Sequence, residues 1–316
     1  MEMSEMKKYD IQLDRRSLLK TIAGIGGCLL FPSTRLYAEP STIIKKPIPA
    51  SGELLPVIGM GTSRTFDSAG DPAQLENLAK VLNLFFTNGG SLIDSSPMYG
   101  SSEAVLGQLL KTEAKKRALF AATKVWTNGK DSGIRQMENS RKLWGVAQFD
   151  LMQIHNLVDW QVHLETLKTM KAAGEIRYIG ITTSHGRDHN ELYQALSHHT
   201  FDFVQLSYNI ADREVEQRLL PLAQDRNIAV IANRPYARGT LFRKTKGKNL
   251  PEWTKAFDCH SWGQFFLKYI VSHPAITCAI PATSKAHHMV DNMGACYGAL
   301  PDAKTRQKMA QYFQAI

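Results

Sequence analysis

Nowhere in the 316 residues does an apolar run reach the roughly 18 residues that a spanning helix needs, so stable membrane insertion is not expected. Cysteine is scarce, with four in the chain. Three of them, Cys259, Cys278 and Cys296, lie beyond the N-terminal segment at no metal-ligand spacing. That odd number excludes a disulfide framework, leaves room for one bridge at most, and gives no reason to expect a metal. No Gly-rich dinucleotide fingerprint follows the first candidate strand, because Gly59-Met60-Gly61-Thr62 is too short to be one. After Ile43 no low-complexity linker divides the chain. Lys and Arg exceed Asp and Glu by 38 to 29, a formal charge of +9. The basic residues are scattered and not interleaved with aromatics in one stripe, so no nucleic-acid surface is expected and an anionic ligand is favoured only weakly.

What the N-terminus does have is the layout of a targeting signal. Asp14-Arg15-Arg16-Ser17-Leu18-Leu19-Lys20 precedes an uncharged stretch from Thr21 to Phe31, then Pro32 and a small-residue site at Ala38, with Leu36 an imperfect −3 residue. Paired arginines before a weakly apolar, Gly-rich core suggest the twin-arginine (Tat) export machinery, which carries folded and often cofactor-loaded proteins. Residues 1–38 are therefore expected to be a removable signal and the protein periplasmic. The alternative is a cytoplasmic protein with an N-terminal amphipathic helix. Ile25-Gly26-Gly27-Cys28 is similar to a lipoprotein box, but Leu29, Leu30 and Phe31 continue the apolar stretch where a lipoprotein turns polar. Residues 1–38 hold six Lys/Arg and four Asp/Glu, so their loss would leave a charge of +7.

From Ile43 onward, short β-rich runs alternate with amphipathic stretches of helical length. The expected strands are Val57 to Met60, Ser91 to Asp94, Leu119 to Lys124, Leu151 to His155, Tyr178 to Thr182, Phe203 to Ser207, Ala229 to Ala232 and Thr277 to Ile280. Helical patterns include Ala73 to Thr87, Ser102 to Leu110, Gln161 to Ala173, Glu214 to Asp225 and Trp262 to Val271, with Gly89-Gly90, Gly145 and Gly174 where helix ends require positive φ. Eight strands with intervening helices predict a single-domain (β/α)8 TIM barrel over residues 39–316. The extended pieces Thr42 to Pro47 and Leu54 to Pro56 could form a hairpin plugging the N-terminal mouth.

In such a barrel chemistry gathers at the C-terminal strand ends. Asp94 ends the second strand, Tyr99 follows five residues later, Lys124 ends the third and His155 the fourth. Singly, each has a structural explanation: a helix cap, a half-buried packing residue, a solvated strand end, a satisfied core histidine. Together they place a carboxylate, a phenol, an ammonium and an imidazole at one face. A phenol has an unperturbed pKa of about 10. Lys124 is expected to lower it, Asp94 to keep the lysine charged and fixed, and His155 to donate a hydrogen bond to a developing oxyanion. This is an arrangement for carbonyl reduction without a metal, in which Tyr99 and His155 also contact the substrate.

These residues lie in runs that resemble the aldo/keto reductase superfamily: Leu92-Ile93-Asp94-Ser95-Ser96-Pro97-Met98-Tyr99-Gly100-Ser101-Ser102-Glu103, Thr123-Lys124 and Gln153-Ile154-His155. The resemblance runs from about Val57 to Ala295. It implies hydride transfer to an aldehyde or ketone, NADPH in preference to NADH, and the tetrad Asp94, Tyr99, Lys124 and His155. It also implies that Gln205, in Gln205-Leu206-Ser207-Tyr208-Asn209, meets the nicotinamide carboxamide, and that Thr283, Ser284, Lys285 and Asn292 grip the adenosine 2′-phosphate. Hydroxyls, a cation and free N–H groups before a helix suit a phosphate. Gly61, Thr62, Asp94 and Pro235 complete the implied cofactor contacts.

Two departures stand out. Thr182-Thr183 occupies the place of a common Ser-Asn, so one carboxamide hydrogen bond is lost or remade. Ala232-Asn233-Arg234-Pro235-Tyr236 replaces an aromatic followed by Ser-Pro: Asn233 cannot stack on nicotinamide, and Arg234 brings a cation to the pyrophosphate or to an acidic substrate. Trp126 and Trp160 are the aromatics expected to wall the substrate pocket, and the Lys- and Gly-rich stretch from Arg238 to Trp253 is expected to be a loop over the cofactor. A nucleotide-binding sensor or partner subunit with little turnover is the alternative function that the departures suggest.

Overall fold

The computed structural model describes residues 42–68 and 70–316, and the export signal read at residues 1–38 lies outside them. Strands β1 (Lys45–Pro47) and β2 (Leu54–Pro56) pair antiparallel as a hairpin. They precede β3 (Met60–Gly61), β4 (Leu92–Asp94), β5 (Phe120–Val125), β6 (Phe149–Ile154), β7 (Ile176–Thr182), β8 (Phe203–Ser207), β9 (Ala229–Asn233) and β10 (Ile276–Ala279). These eight run parallel, each bonded to its sequence neighbour. Closure comes from the first and last: the amides of Gly59 and Gly61 donate to the carbonyls of Ala279 (2.9 Å) and Pro281 (3.1 Å), and the Ala279 amide to Val57 (2.9 Å). The result is the (β/α)8 barrel that the alternation predicts.

The helical layer consists of α1 (Pro72–Thr87), α2 (Ser102–Leu109), α3 (Glu113–Ala118), α4 (Lys130–Trp144), α5 (Trp160–Ala172), α6 (His189–His198), α7 (Leu219–Asp225), α8 (Thr240–Lys244), α9 (Trp262–Val271), α10 (Ala286–Gly294) and α11 (Ala303–Ala315). Side-chain caps open several of them. Asp71 accepts from the Ala73 amide at 2.9 Å ahead of Pro72, and Ser261 and Asp302 accept from the amides of Gln264 and Thr305. The helix expected from Glu214 to Asp225 is split into a 3-10 turn at Glu214–Glu216 and α7. Pro221 has no N–H and tolerates only the first turn of a helix, so α7 begins just ahead of it. The stretch from Arg238 to Trp253 is no open loop: it folds through α8 into a 3-10 segment at Glu252–Phe257, with Leu241 and Thr245 buried.

Strand periodicity separates two cores. Leu92, Phe120, Ala122, Leu151, Tyr178, Phe203, Ala229, Ile231 and Cys278 fill the barrel interior, while alternate residues such as Ile93, Ala121, Met152, Ile179, Val204 and Val230 pack under the helices. Ile48 and Leu55, from the hairpin region, join the inner cluster from below. Lys46 holds the hairpin there by donating to the carbonyls of His273 (2.8 Å) and Ile276 (2.7 Å). The bottom of the barrel is thus apolar and sealed, and its last inward positions at the top become polar.

Candidate active site

Continuing the inward period by one step reaches Asp94, Lys124, Gln153, Gln205 and Asn233; of these Asp94, Gln205 and Asn233 line a cavity of about 1090 Å³, and Lys124 and Gln153 lie buried beneath it. Lys124 has no exposure, and its Nζ lies 2.6 Å from Asp94 Oδ2 and 2.7 Å from the Ser95 carbonyl. Asp94 Oδ1 accepts from Gln153 Nε2 at 2.8 Å and Gln205 Nε2 at 2.9 Å, so both carboxylate oxygens are held. Gly180 makes this possible, because a Cβ there would sit 2.8 Å from Gln153 Cγ. Tyr99 reaches the group from the turn after β4, where its amide donates to the Ser96 carbonyl at 3.0 Å. The Lys124 ammonium stands 5.1 Å from the centre of the Tyr99 ring, close enough for its charge to act on the phenol. His155 does not end its strand. It opens a 3-10 turn one residue past β6, where Asn156 and Leu157 take positive φ, and its ring meets Tyr99 edge-on at 5.8 Å.

Burial governs the protonation of these groups. Desolvation opposes the charge on Lys124, but Asp94, Tyr99 and their hydrogen bonds outweigh it and raise its pKa above the ordinary 10.5. For Tyr99 the balance differs from the sequence expectation. Burial lifts the phenol above 10.0, Lys124 pulls down without winning, and the Asp94 charge adds to the rise. The lysine moderates the phenol pKa but does not bring it below its ordinary value. His155 is lowered from 6.5 to about 3 by burial first and by Lys124 second, so its imidazole is neutral at physiological pH.

Around this group the cavity is lined by Gly61, Thr62, Thr182, Thr183, Gln205, Asn233, Arg234, Pro235, Thr283 and Asn292, as well as Asp94, Tyr99 and His155. Several have their polar groups occupied by protein. Thr62 bonds the Asp94 carbonyl, Thr182 Oγ1 accepts the Asn156 amide at 3.0 Å, and Asn233 Nδ2 donates to the Thr183 carbonyl at 2.9 Å while Oδ1 accepts from Ser207. Others keep spare capacity: Thr183 Oγ1, Arg234 Nε and Asn292 Nδ2 are buried with no hydrogen-bond partner. Arg234 sits at φ 53, beside Arg64, Arg187 and Arg238, whose charges also line the cavity.

Residues 57–308 match the family model described as the aldo/keto reductase family. The chain belongs to the aldo/keto reductase family. It is 27% identical over 255 residues to methylglyoxal reductase YeaE of Escherichia coli, covering 78% of this chain and 88% of that protein. It is 28% identical over 216 residues to aldo-keto reductase YhdN of Bacillus subtilis, 62% of each. Among solved structures it is similar to an aldo/keto reductase from Klebsiella pneumoniae in complex with NADP and acetate, with a TM-score of 0.70, 24% identity and coverage of 83% of this chain and 93% of that one. Aldo-keto reductase AKR11C1 from Bacillus halodurans, in its holo form, gives a TM-score of 0.71 at 20% identity over 86% and 96%.

Not every residue singled out in this aldo/keto reductase sequence reaches the cavity. Trp160 does not wall it. The indole donates to Glu191 Oε1 at 2.8 Å and packs edge-on against His199 at 5.0 Å, which fixes it between α5 and α6. Trp126, expected to wall the pocket, is not among the lining residues either: it is 41% exposed, with its ring 6.4 Å from that of His155. Ser284 and Lys285 flank the lining: the Ser284 carbonyl accepts from Asn77, and the Lys285 amide donates to Thr283 Oγ1 as α10 begins. Conversely, the sequence assigns no role to Gln153, which holds Asp94, or to Arg64, His185, Arg187 and Arg238, which line the cavity. The alternation of β6 could have marked Gln153 as an inward polar residue. The loop cations carry no local signal that they converge.

Proposed function

We propose that this family member reduces an aldehyde or ketone to an alcohol with NADPH, in preference to NADH, and that Tyr99 is the proton donor. The observation that carries the reading is the buried chain from Asp94 through Lys124 to Tyr99, with neutral His155 beside it at the cavity mouth. Its relatives support it: one is a methylglyoxal reductase, and one solved neighbour is in complex with NADP.

The cavity residues fit such a cofactor. Three buried polar atoms of Thr183, Arg234 and Asn292 lack partners, and the arginines nearby supply positive charge where a pyrophosphate needs it. Thr283, Ser284 and Lys285 at the start of α10, with Asn292, would hold the 2′-phosphate, and Gln205 and Thr183 the carboxamide. Gly61, Thr62, Thr182, Asn233 and Pro235 shape the remaining walls. When bound, the nicotinamide supplies the hydride.

The protein's own groups do the rest. Tyr99, held protonated by burial, gives its proton to the carbonyl oxygen, and the Lys124 ammonium stabilises the phenolate left behind. Asp94 keeps that ammonium in place and balances its charge. His155, uncharged, donates a hydrogen bond to the same oxygen and orients it. Met98, exposed on the cavity wall, offers apolar surface to the substrate.

Tyr99→Phe tests the assignment. Turnover with a panel of reactive aldehydes and diketones, followed as NADPH oxidation, is expected to fall about 10²- to 10⁴-fold with NADPH binding retained. A Tyr99→Phe protein as active as the wild type would end the assignment, and a wild-type protein that retains nucleotide but turns over nothing would favour the sensor reading. We also propose that residues 1–38 send the folded protein to the periplasm. Replacing Arg15 and Arg16 by lysine should retain it in the cytoplasm on fractionation, and unchanged export would reject the twin-arginine route.

A further inference from the structure

Ser96 has no part in the reduction described above, yet it is buried against one of its key groups. It follows β4 by two residues, has no exposure, and places its Oγ 2.9 Å from His155 Nδ1. The same oxygen accepts the Met98 amide at 3.2 Å, while the Ser96 carbonyl accepts the amide of Tyr99 at 3.0 Å. A buried hydroxyl whose oxygen already accepts a backbone N–H still has a proton to place, and leaving that proton unbonded is costly. His155 Nδ1 is the acceptor that the structure sets before it.

A neutral imidazole carries one N–H, on Nδ1 or on Nε2. His155 is neutral, since burial and Lys124 hold its pKa at about 3. If Ser96 donates to Nδ1, the ring proton is on Nε2, at the other edge of the ring, which makes no hydrogen bond to any described residue. Resting on the carbonyl-reduction reading, we propose that Ser96 is a positioning residue that fixes His155 as the Nε2–H tautomer, so that the nitrogen free to meet the substrate is a donor. In the opposite tautomer that nitrogen would present a lone pair to the carbonyl oxygen and repel it. Ser96 also ties this choice to the turn that carries Tyr99, so acid and hydrogen-bond donor are set by one residue.

Imidazole ¹⁵N spectra of the full chain test the tautomer without any turnover. The chain has 10 histidines, and His155→Gln assigns the resonance. The wild type should show protonated Nε2 and bare Nδ1, and Ser96→Ala should show a mixture. A wild type with the proton on Nδ1 overturns the proposal even if the protein reduces carbonyls, and the spectrum is readable even if it reduces none. In turnover, Ser96→Ala should lower kcat about 3- to 10-fold, the factor that one hydrogen bond of ordinary net strength carries. The KM for NADPH should stay within about twofold, which also shows that the variant folds. In a His155→Ala background the same substitution should cost nothing more, and a full additional loss there would show that Ser96 does not act through His155.

Discussion

Lys124 is wholly buried and charged, and the same carboxylate that keeps it charged depends on it. Lys124→Met would leave Asp94 with its two amide donors and no cation. Breaking a buried pair from one side costs about 3–5 kcal/mol, and urea unfolding of the variant should show a loss of that size. His155 makes a second residue-scale prediction. Its folded pKa of about 3 lies below the unfolded 6.5, so between those values the unfolded chain takes up a proton that the native imidazole refuses. Stability should therefore be complete above pH 6.5 and fall as pH drops toward 3, by up to about 1.4 kcal/mol per pH unit from this group. His155→Gln should flatten that slope, and an unchanged slope would show that the imidazole is not the cause. The identities of Asp94, Tyr99, Lys124 and His155 were legible because their chemical types fall at, or within a few residues of, the ends of three consecutive strands. The direction of the Tyr99 pKa was not, because it depends on how much protein covers the phenol, which no local pattern records.

At the scale of elements, strands were easier to read than helices. The strands Phe120–Val125 and Phe203–Ser207 are buried at every position and open with apolar residues, which marks them in the sequence even though Lys124 and Gln205 lie within them. α4 was not singled out: its run from Lys130 to Trp144 holds few apolar residues and opens at Gly129 without a side-chain cap. It forms because Met137, Ser140 and Trp144 bury one face, with Ser140 and Trp144 both donating to the buried Glu103. Trp160 shows the converse error, since an aromatic near a strand end serves a helix interface. Trp160→Ala should destabilise by about 3–5 kcal/mol through lost packing while leaving the substrate KM unchanged. A raised KM at unchanged stability would return the residue to the pocket.

At the scale of the whole molecule, the cavity draws its lining from loops after most of the strands, so ligand and fold are coupled. If NADPH occupies it, a ligand at about 100 times its Kd should stabilise the protein by about 2.7 kcal/mol, with NADH at equal concentration giving less. Thermal unfolding with each nucleotide measures both, and no shift with either would argue against a nucleotide site. The sequence by itself determined the alternation of strand and helix, the barrel, and the chemical types at the strand ends. These follow from periodicity and composition over spans of a few residues. Only the tertiary structure decided that Gln153 and Gln205 share one oxygen of Asp94, that Ser96 meets His155, and that four arginines from three loops face one cavity. Those contacts join residues dozens of positions apart, and only closure of the sheet brings them within bonding distance.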